Sequence, residues 1–253
     1  MYIVLNPLPL DMLPQPDEWT CGPTCLHAVY RYFGEKMDLS TIIHRVPKLD
    51  DGGTLAVLLG CDALANGYAA RIYTYNLTVF DPSWFQEGVD LASKLHAQAI
   101  SKHDTKLRLA TRGYLEFLKL GGQVRMRDLS TTLIRKYLAR NIPLLTGLSS
   151  TYLYQEAREL NNPSQDKSDI AGYPQGHFVV LRGYDKETKL VTVADPYSKN
   201  PWSTNLDYQV SLERVVCAVL LGVLTYDANF LVIHPKNSAN NPHYVNPPIS
   251  SPT

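Results

Sequence analysis

The stretch Gln15-Pro-Asp-Glu-Trp-Thr-Cys21-Gly-Pro-Thr-Cys25 places a cysteine at the start of a predicted helix. Pro23 suits a first helical turn, where the backbone N–H has no partner within the helix. The apolar residues that follow recur at helical spacing until Gly34, a stop signal. The N-terminus of a helix carries about half a positive charge, which favours the thiolate form of a cysteine. Cys21 is therefore a candidate nucleophile.

Gln15 lies six residues before Cys21. Its side-chain amide is a donor of the kind that stabilises the oxyanion formed when a thiolate attacks a carbonyl. We therefore consider Gln15 as an oxyanion donor. Taken alone, the residue is equally compatible with an ordinary surface loop.

A predicted β-hairpin supplies a base and a partner for that base. His177 precedes the strand predicted at 178–183, Asp195 follows the strand predicted at 190–194, and both lie nine residues from Lys186. If the turn is centred on Lys186, the two side chains face each other, and opposed side chains approach to about 5 Å. A thiol nucleophile needs a base, and the base needs an orienting group. We predict that His177 and Asp195 fill these two roles.

The segment QPDEWTCGPTCL at 15–26, GHFVVL at 176–181 and VADP at 193–196 together resemble the peptidase C39-like branch of the papain-like cysteine peptidase superfamily. The resemblance covers roughly residues 10–76 and 128–234. It implies an α+β, papain-like fold, in which an N-terminal helix bearing the nucleophile packs on an antiparallel sheet.

The resemblance also implies a role for each matching residue. Cys21 is then the nucleophile, His177 the base, Asp195 its orienting partner and Gln15 the oxyanion donor. One departure concerns Thr20, because many relatives carry an acidic or amide residue just before the cysteine.

We predict a single domain over residues 1–236, followed by a disordered tail at 237–253 that is rich in Pro, Asn and Ser. Residues 81–125 read as a helical insertion beside the cleft, with helices at 84–99 and 112–120. The other predicted elements are helices at 54–66, 128–141 and 211–221, strands at 68–75, 142–148 and 230–234, and one helical turn near 154–160.

Composition narrows the possible partners. Lys+Arg 24 and Asp+Glu 24 give no net charge, and no basic block stands out, which disfavours nucleic acid and membrane surfaces. The apolar run 215–224 is too short to span a bilayer, and the N-terminus lacks the basic start of a signal peptide. We expect a cytoplasmic protein with reduced cysteines. The sequence does not determine its oligomeric state.

The four cysteines give no reason to expect a metal or other cofactor. Cys25 lies one helical turn after Cys21 and is predicted to be a packing residue. No second pair of ligands is spaced to complete a zinc site with these two cysteines.

These features predict a hydrolase that cleaves a peptide or peptide-like amide bond of a peptide or protein substrate. Cys21 would form a thioacyl-enzyme, His177 would protonate the leaving amine, and water would release the acid. The substrate would reach the site through a groove under the long loop at 149–176. Two alternatives remain. One is an acyltransferase or transglutaminase-like enzyme with the same residues, and the other is a catalytically silent peptide-binding module, which Thr20 favours.

Overall fold

The computed structural model describes residues 7–49, 52–160, 162, 164 and 166–236. The predicted tail at 237–253 lies outside these residues, and its disorder stays a prediction. The helices are α1 (Cys21–Tyr32), α2 (Leu39–Arg45), α3 (Ala56–Ala65), α4 (Leu91–Ser101), α5 (Thr105–Lys119), α6 (Thr131–Leu138), α7 (Ser150–Tyr154) and α8 (Leu212–Leu221), with short 3₁₀ helices at Pro82–Phe85 and Gly222–Thr225. The strands are β1 (Tyr68–Thr74), β2 (Gln123–Arg125), β3 (Leu144–Ser149), β4 (Gly176–Tyr184), β5 (Leu190–Ala194), β6 (Asp207–Ser211) and β7 (Asn229–Pro235).

The seven strands form one sheet in the order β2-β1-β7-β3-β4-β5-β6. Every neighbouring pair is antiparallel except β1 and β2, which are parallel. All six residues of β3 are buried, so helices and loops cover both faces at the centre of the sheet. Helix α1 packs against β4, and α8 packs against β3. The predicted α+β fold, with the nucleophile helix on an antiparallel sheet, is confirmed.

Helix α1 is fixed to β4 by close packing near its start. The Cys25 thiol is fully buried and donates to the carbonyl oxygen of Phe178 at 3.2 Å. A Cβ on Gly22 would lie 2.7 Å from Cγ2 of Thr54 and 3.2 Å from the Phe178 ring, so only glycine permits this approach. The helix ends at Tyr32. Gly34, which was predicted to stop it, adopts φ +93°, a conformation that favours glycine.

The block at 81–125 differs from its prediction in detail. The helix expected at 84–99 is found only from Leu91 onward, because a 3₁₀ helix at Pro82–Phe85 is followed by Gly88 at φ +79°. A new helix starts only after Asp90, whose side chain accepts from the N–H of Ala92. The next helix begins at Thr105 rather than at 112, because Asp104 caps it. Whether the block is an insertion stays a prediction.

Further differences concern single elements. The helical turn predicted near 154–160 lies earlier, at Ser150–Tyr154, because Ser149 caps it and Gln155 ends it at φ 57°. The five-residue edge strand β6 was not predicted. Helix α8 begins after its predicted cap Ser211, but it is not buried all round, since Cys217 is exposed.

Within the described ranges, no helix has the length and apolar character needed to cross a membrane.

Candidate active site

A groove lies where the start of α1 meets the start of β4, and we call it the active-site groove. Its lining includes Gln15, Trp19, Cys21, Glu159, Gly176, His177 and Asp227. Asp195 lies behind His177 and is completely buried. The fold therefore brings the four predicted site residues together, three in the groove wall and one beneath it.

Cys21 is the first residue of α1 and is partly exposed. The preceding residue, Thr20, donates its hydroxyl to the carbonyl oxygen of Asp17 at 3.2 Å, and no side chain of a described residue caps this helix. The first N–H groups of a helix have no partner within it. The backbone N–H of Cys21 therefore remains available to an oxyanion in the groove.

His177 and Asp195 form a buried pair, with Nε2 of the imidazole donating to Oδ1 of the carboxylate at 2.8 Å. Nδ1 is then the ring nitrogen left for a thiol. Burial lowers the pKa of His177, but the charge and hydrogen bond of Asp195 outweigh it, and Cys21 adds a hydrogen bond and a charge of its own. The net effect raises the pKa of His177, so the structure favours an imidazolium beside the sulfur.

Asp195 is held by three further donors. The hydroxyls of Tyr154 and Tyr208 each donate to Oδ2 at 2.7 Å, and the N–H of Tyr197 donates to Oδ1 at 2.9 Å. Burial alone would raise the pKa of this carboxyl, but the charge and hydrogen bond of His177, with the Tyr197 and Tyr208 bonds, hold it below its usual value. Asp195 is therefore ionised and fixed in place.

The hairpin register corrects the geometric reasoning that paired His177 with Asp195. Val180 pairs with Ala194, so the next residue, Asp195, comes opposite the position before Val180 on β4. That position is two residues further along β4 than His177, which was the expected partner. The register shifts between Leu181 and Gly183, and the turn is not centred on Lys186. Side chains two residues apart share one face of a strand. The carboxylate therefore reaches the imidazole diagonally, although the two residues are not directly opposed.

Gln15 is tied to the same hairpin. Its backbone N–H donates to the carbonyl oxygen of Pro196 at 2.9 Å, next to Asp195. Its Nε2 donates to the carbonyl oxygen of Asp17 at 2.9 Å, and an amide nitrogen has a second hydrogen to donate. The Oε1 atom is buried and has no partner among the described residues. The location suits an oxyanion donor, and the role itself stays a prediction.

Sequence reasoning missed the residues that support and extend this site. Tyr197 had a signal, because Asp-Pro-Tyr is a short turn whose aspartate accepts a backbone N–H two residues later. Tyr154 and Tyr208 had none, since nothing distinguishes them among 16 tyrosines. Lys106 and Asp227, which also line the groove, come from distant parts of the chain.

Among the residues with described positions, no group of three His, Cys, Asp or Glu side chains could hold a metal ion.

Comparison with known proteins adds a family. The model of the Peptidase_C39 like family matches residues 7–215. A Bacillus anthracis protein named as a C39-like peptidase is similar in structure, at 14% identity, with 94% of this chain and 100% of that chain covered and a TM-score of 0.46. The peptidase domain of Streptococcus ComA is similar at 14% identity, covering 90% of this chain and 99% of that chain, with a TM-score of 0.41. No curated protein sequence matches the chain.

Proposed function

Since the chain belongs to the peptidase C39-like family, we propose that it is a cysteine-dependent hydrolase of peptide or peptide-like amide bonds. The observation that carries this proposal is the bond between His177 and Asp195 beside the partly exposed Cys21 at the start of α1. The nucleophile, its base and the orienting group of that base are thus arranged in space as thiol hydrolases require.

The reaction would proceed through two acyl transfers. The Cys21 thiolate attacks the amide carbonyl, and the resulting oxyanion is stabilised by the N–H of Cys21 and by Nε2 of Gln15. The His177 imidazolium donates its proton to the leaving amine, and the carbon–nitrogen bond breaks to give a thioester. Neutral His177 then takes a proton from water, which attacks the thioester and releases the acid and the thiolate. Asp195 keeps the imidazole oriented throughout.

The groove suits a peptide or protein substrate bound across α1 and the segment that precedes β4. Glu159 lines the groove from the long loop at 149–176, which supports the predicted entry under that loop. We also propose a cytoplasmic location, with the four cysteines reduced.

Thr20 lends no support to a catalytically silent module. The residue is fully buried, and its hydroxyl accepts from the Asp17 N–H and donates to the Asp17 carbonyl. It therefore shapes the turn that leads into α1, and a residue in that position can differ between relatives without changing the thiol chemistry.

The test is cleavage of a peptide library by the wild-type protein and by Cys21→Ser, with new N-termini read by mass spectrometry. We expect cleavage by the wild type and none by Cys21→Ser. Cys217→Ser, which removes an exposed thiol on α8, is the matched control and should cleave like the wild type. If Cys21→Ser cleaves the library as well as Cys217→Ser does, the assignment of Cys21 as the nucleophile is refuted.

An added primary amine separates hydrolysis from acyl transfer, because both pass through the same thioester. Release of the free acid as the main product supports the hydrolase. Conversion of most product into the amide of the added amine would assign the transferase instead. A wild-type protein that binds library peptides and cleaves none would be the binding module.

A further inference from the structure

Asp227 is a buried carboxyl that the proposed chemistry does not use. It lies between the 3₁₀ helix at Gly222–Thr225 and β7, is only 5% exposed, and contributes to the lining of the active-site groove. Its Oδ2 accepts a long hydrogen bond of 3.3 Å from the hydroxyl of Thr225. Its Oδ1 has no partner among the described residues. A carboxylate accepts about four hydrogen bonds, so most of this capacity is unused.

Two strand glycines make the space that this carboxyl occupies. A Cβ on Gly147 in β3 would lie 2.7 Å from Oδ1, and a Cβ on Gly176 in β4 would lie 2.7 Å from Oδ2. Glycine weakens a strand interior and often marks a close approach by another group. Gly176 lies in the groove wall, so Oδ2 is the oxygen on the groove side.

The neighbours of Asp227 do not compensate its burial. Burial raises the pKa of this carboxyl to about 8, and the Thr225 hydrogen bond and the charges of Lys106 and His177 offset it only in part. Tyr114 also faces it, and the Asp227 charge raises the pKa of that phenol. A cation placed against Oδ2 would favour ionisation and would add a second, stronger donor to an oxygen that now has only the long bond from Thr225.

We propose that Asp227 and Thr225 form a subsite for a positively charged substrate group, a primary ammonium or a guanidinium. The groove lining also carries Glu18 and Glu159, so among the described residues it holds three carboxyl side chains, against the cations Lys106 and His177. This inference rests on the proposed function, because the ligand is the substrate that Cys21 attacks.

The experiment uses alkylating probes that carry the charge at different distances from the reactive carbon. Cys21 is labelled with ω-aminoalkyl iodoacetamides of increasing chain length and with uncharged N-alkyl iodoacetamides of the same lengths, and the rates are measured by mass spectrometry. At the chain length that spans the two sites, we expect the cationic probe to react at least about tenfold faster than its uncharged counterpart.

Asp227→Asn should reduce this ratio of rates to about one, since the amide keeps the shape and removes the acid. The ratio is used because it is insensitive to a general change in thiol reactivity. Asp11→Asn removes an acid that is 83% exposed and should leave the ratio as in the wild type. If Asp227→Asn does not fold, the subsite is tested with the wild type alone. Butylammonium should protect Cys21 from iodoacetamide, and butanol at the same concentration should not.

The outcomes separate this inference from the function on which it rests. Equal rates for cationic and uncharged probes at every length, with labelling by iodoacetamide still dependent on His177, overturn the subsite and leave the hydrolase intact. Faster labelling by iodoacetate than by iodoacetamide and the cationic probes also overturns it, in favour of an anion site. Slow labelling by every probe, independent of His177, overturns the proposed function itself.

Discussion

The hydroxyl of Tyr208 donates a 2.7 Å hydrogen bond to Oδ2 of Asp195, while Oδ1 of the same carboxylate accepts from His177. Tyr208 belongs to β6, the edge strand next to β5, and Tyr154 makes an equivalent bond from α7. A buried carboxylate is stable only when its oxygens are satisfied. The position of His177 therefore depends on two tyrosines that hold its partner carboxylate.

Tyr208→Phe should lower the free energy of unfolding by about 1–3 kcal/mol, because it leaves one acceptor of a buried carboxylate without its donor. Tyr154→Phe should behave similarly. Tyr173→Phe, in which the parent side chain is 58% exposed, is the control and should change stability by less than about 0.5 kcal/mol. Urea unfolding measures all three. Equal stabilities for Tyr208→Phe and the control would show that the bond is unimportant.

Gln15→Ala should reduce the cleavage rate constant for any library substrate by about 10²–10³-fold, the usual effect of removing one oxyanion donor. Alkylation of Cys21 by iodoacetamide forms no oxyanion, so its rate should stay within about threefold of the wild type. Gln175→Ala removes another amide that lines the groove, one whose Nε2 donates to Tyr173, and serves as the control. A parallel fall in cleavage and alkylation would assign Gln15 a structural role only.

Asp227→Asn should become more stable relative to the wild type as the pH rises from 4 to 8. The folded pKa of Asp227 is raised from 3.8 to about 8, so within this window the unfolded chain releases a proton that the folded chain keeps. The free energy of unfolding of the wild type therefore falls with rising pH, and asparagine removes this contribution. We expect the difference to grow by at least about 1 kcal/mol, as measured by urea unfolding. A difference independent of pH would contradict the buried, protonated carboxyl.

Gly176→Ala should lower the free energy of unfolding by about 1–3 kcal/mol through overpacking. The new methyl group would lie 2.7 Å from both Oδ2 of Asp227 and Oγ1 of Thr225. Gly53→Ala is the matched control, because a Cβ there has no atom of a described residue within 4 Å and the residue lines the same groove. Thermal and urea unfolding should show little change for Gly53→Ala. An equally mild effect at both glycines would mean that the space above Gly176 is not filled as described.

Much of the fold follows from local sequence signals. Helix α1 is determined by Pro23 and Gly34, and α8 begins where Ser211 predicts, because a serine hydroxyl accepts an N–H of the first turn. The strands of the hairpin were predicted because β-branched and apolar residues form continuous runs there. The register of the hairpin was not predicted, because the shift between Leu181 and Gly183 lies where tertiary contacts are made. There the Arg182 guanidinium donates to the Asp207 carboxylate and to the carbonyl oxygen of Leu8.

Only the site residues that belong to a sequence motif could be predicted. Gln15, Cys21, His177 and Asp195 each belong to a short recognisable pattern. Asp227 and Tyr208 belong to none, and they reach the site because the sheet order places β3 between β4 and β7 and β5 between β4 and β6. Sequence spacing carries no information about such neighbours.

The most direct test of the central claim is the rate at which iodoacetamide alkylates Cys21 at pH 6, compared with the wild-type rates of Cys61 and Cys217 in the same sample. His177 lies within hydrogen-bond reach of the Cys21 sulfur as its base, whereas burial raises the pKa of Cys61 to about 12. We predict that Cys21 reacts fastest of the three and that His177→Ala slows it by at least about tenfold, with Cys217 unchanged. A Cys21 rate that equals that of Cys217 and does not respond to His177→Ala would contradict the account.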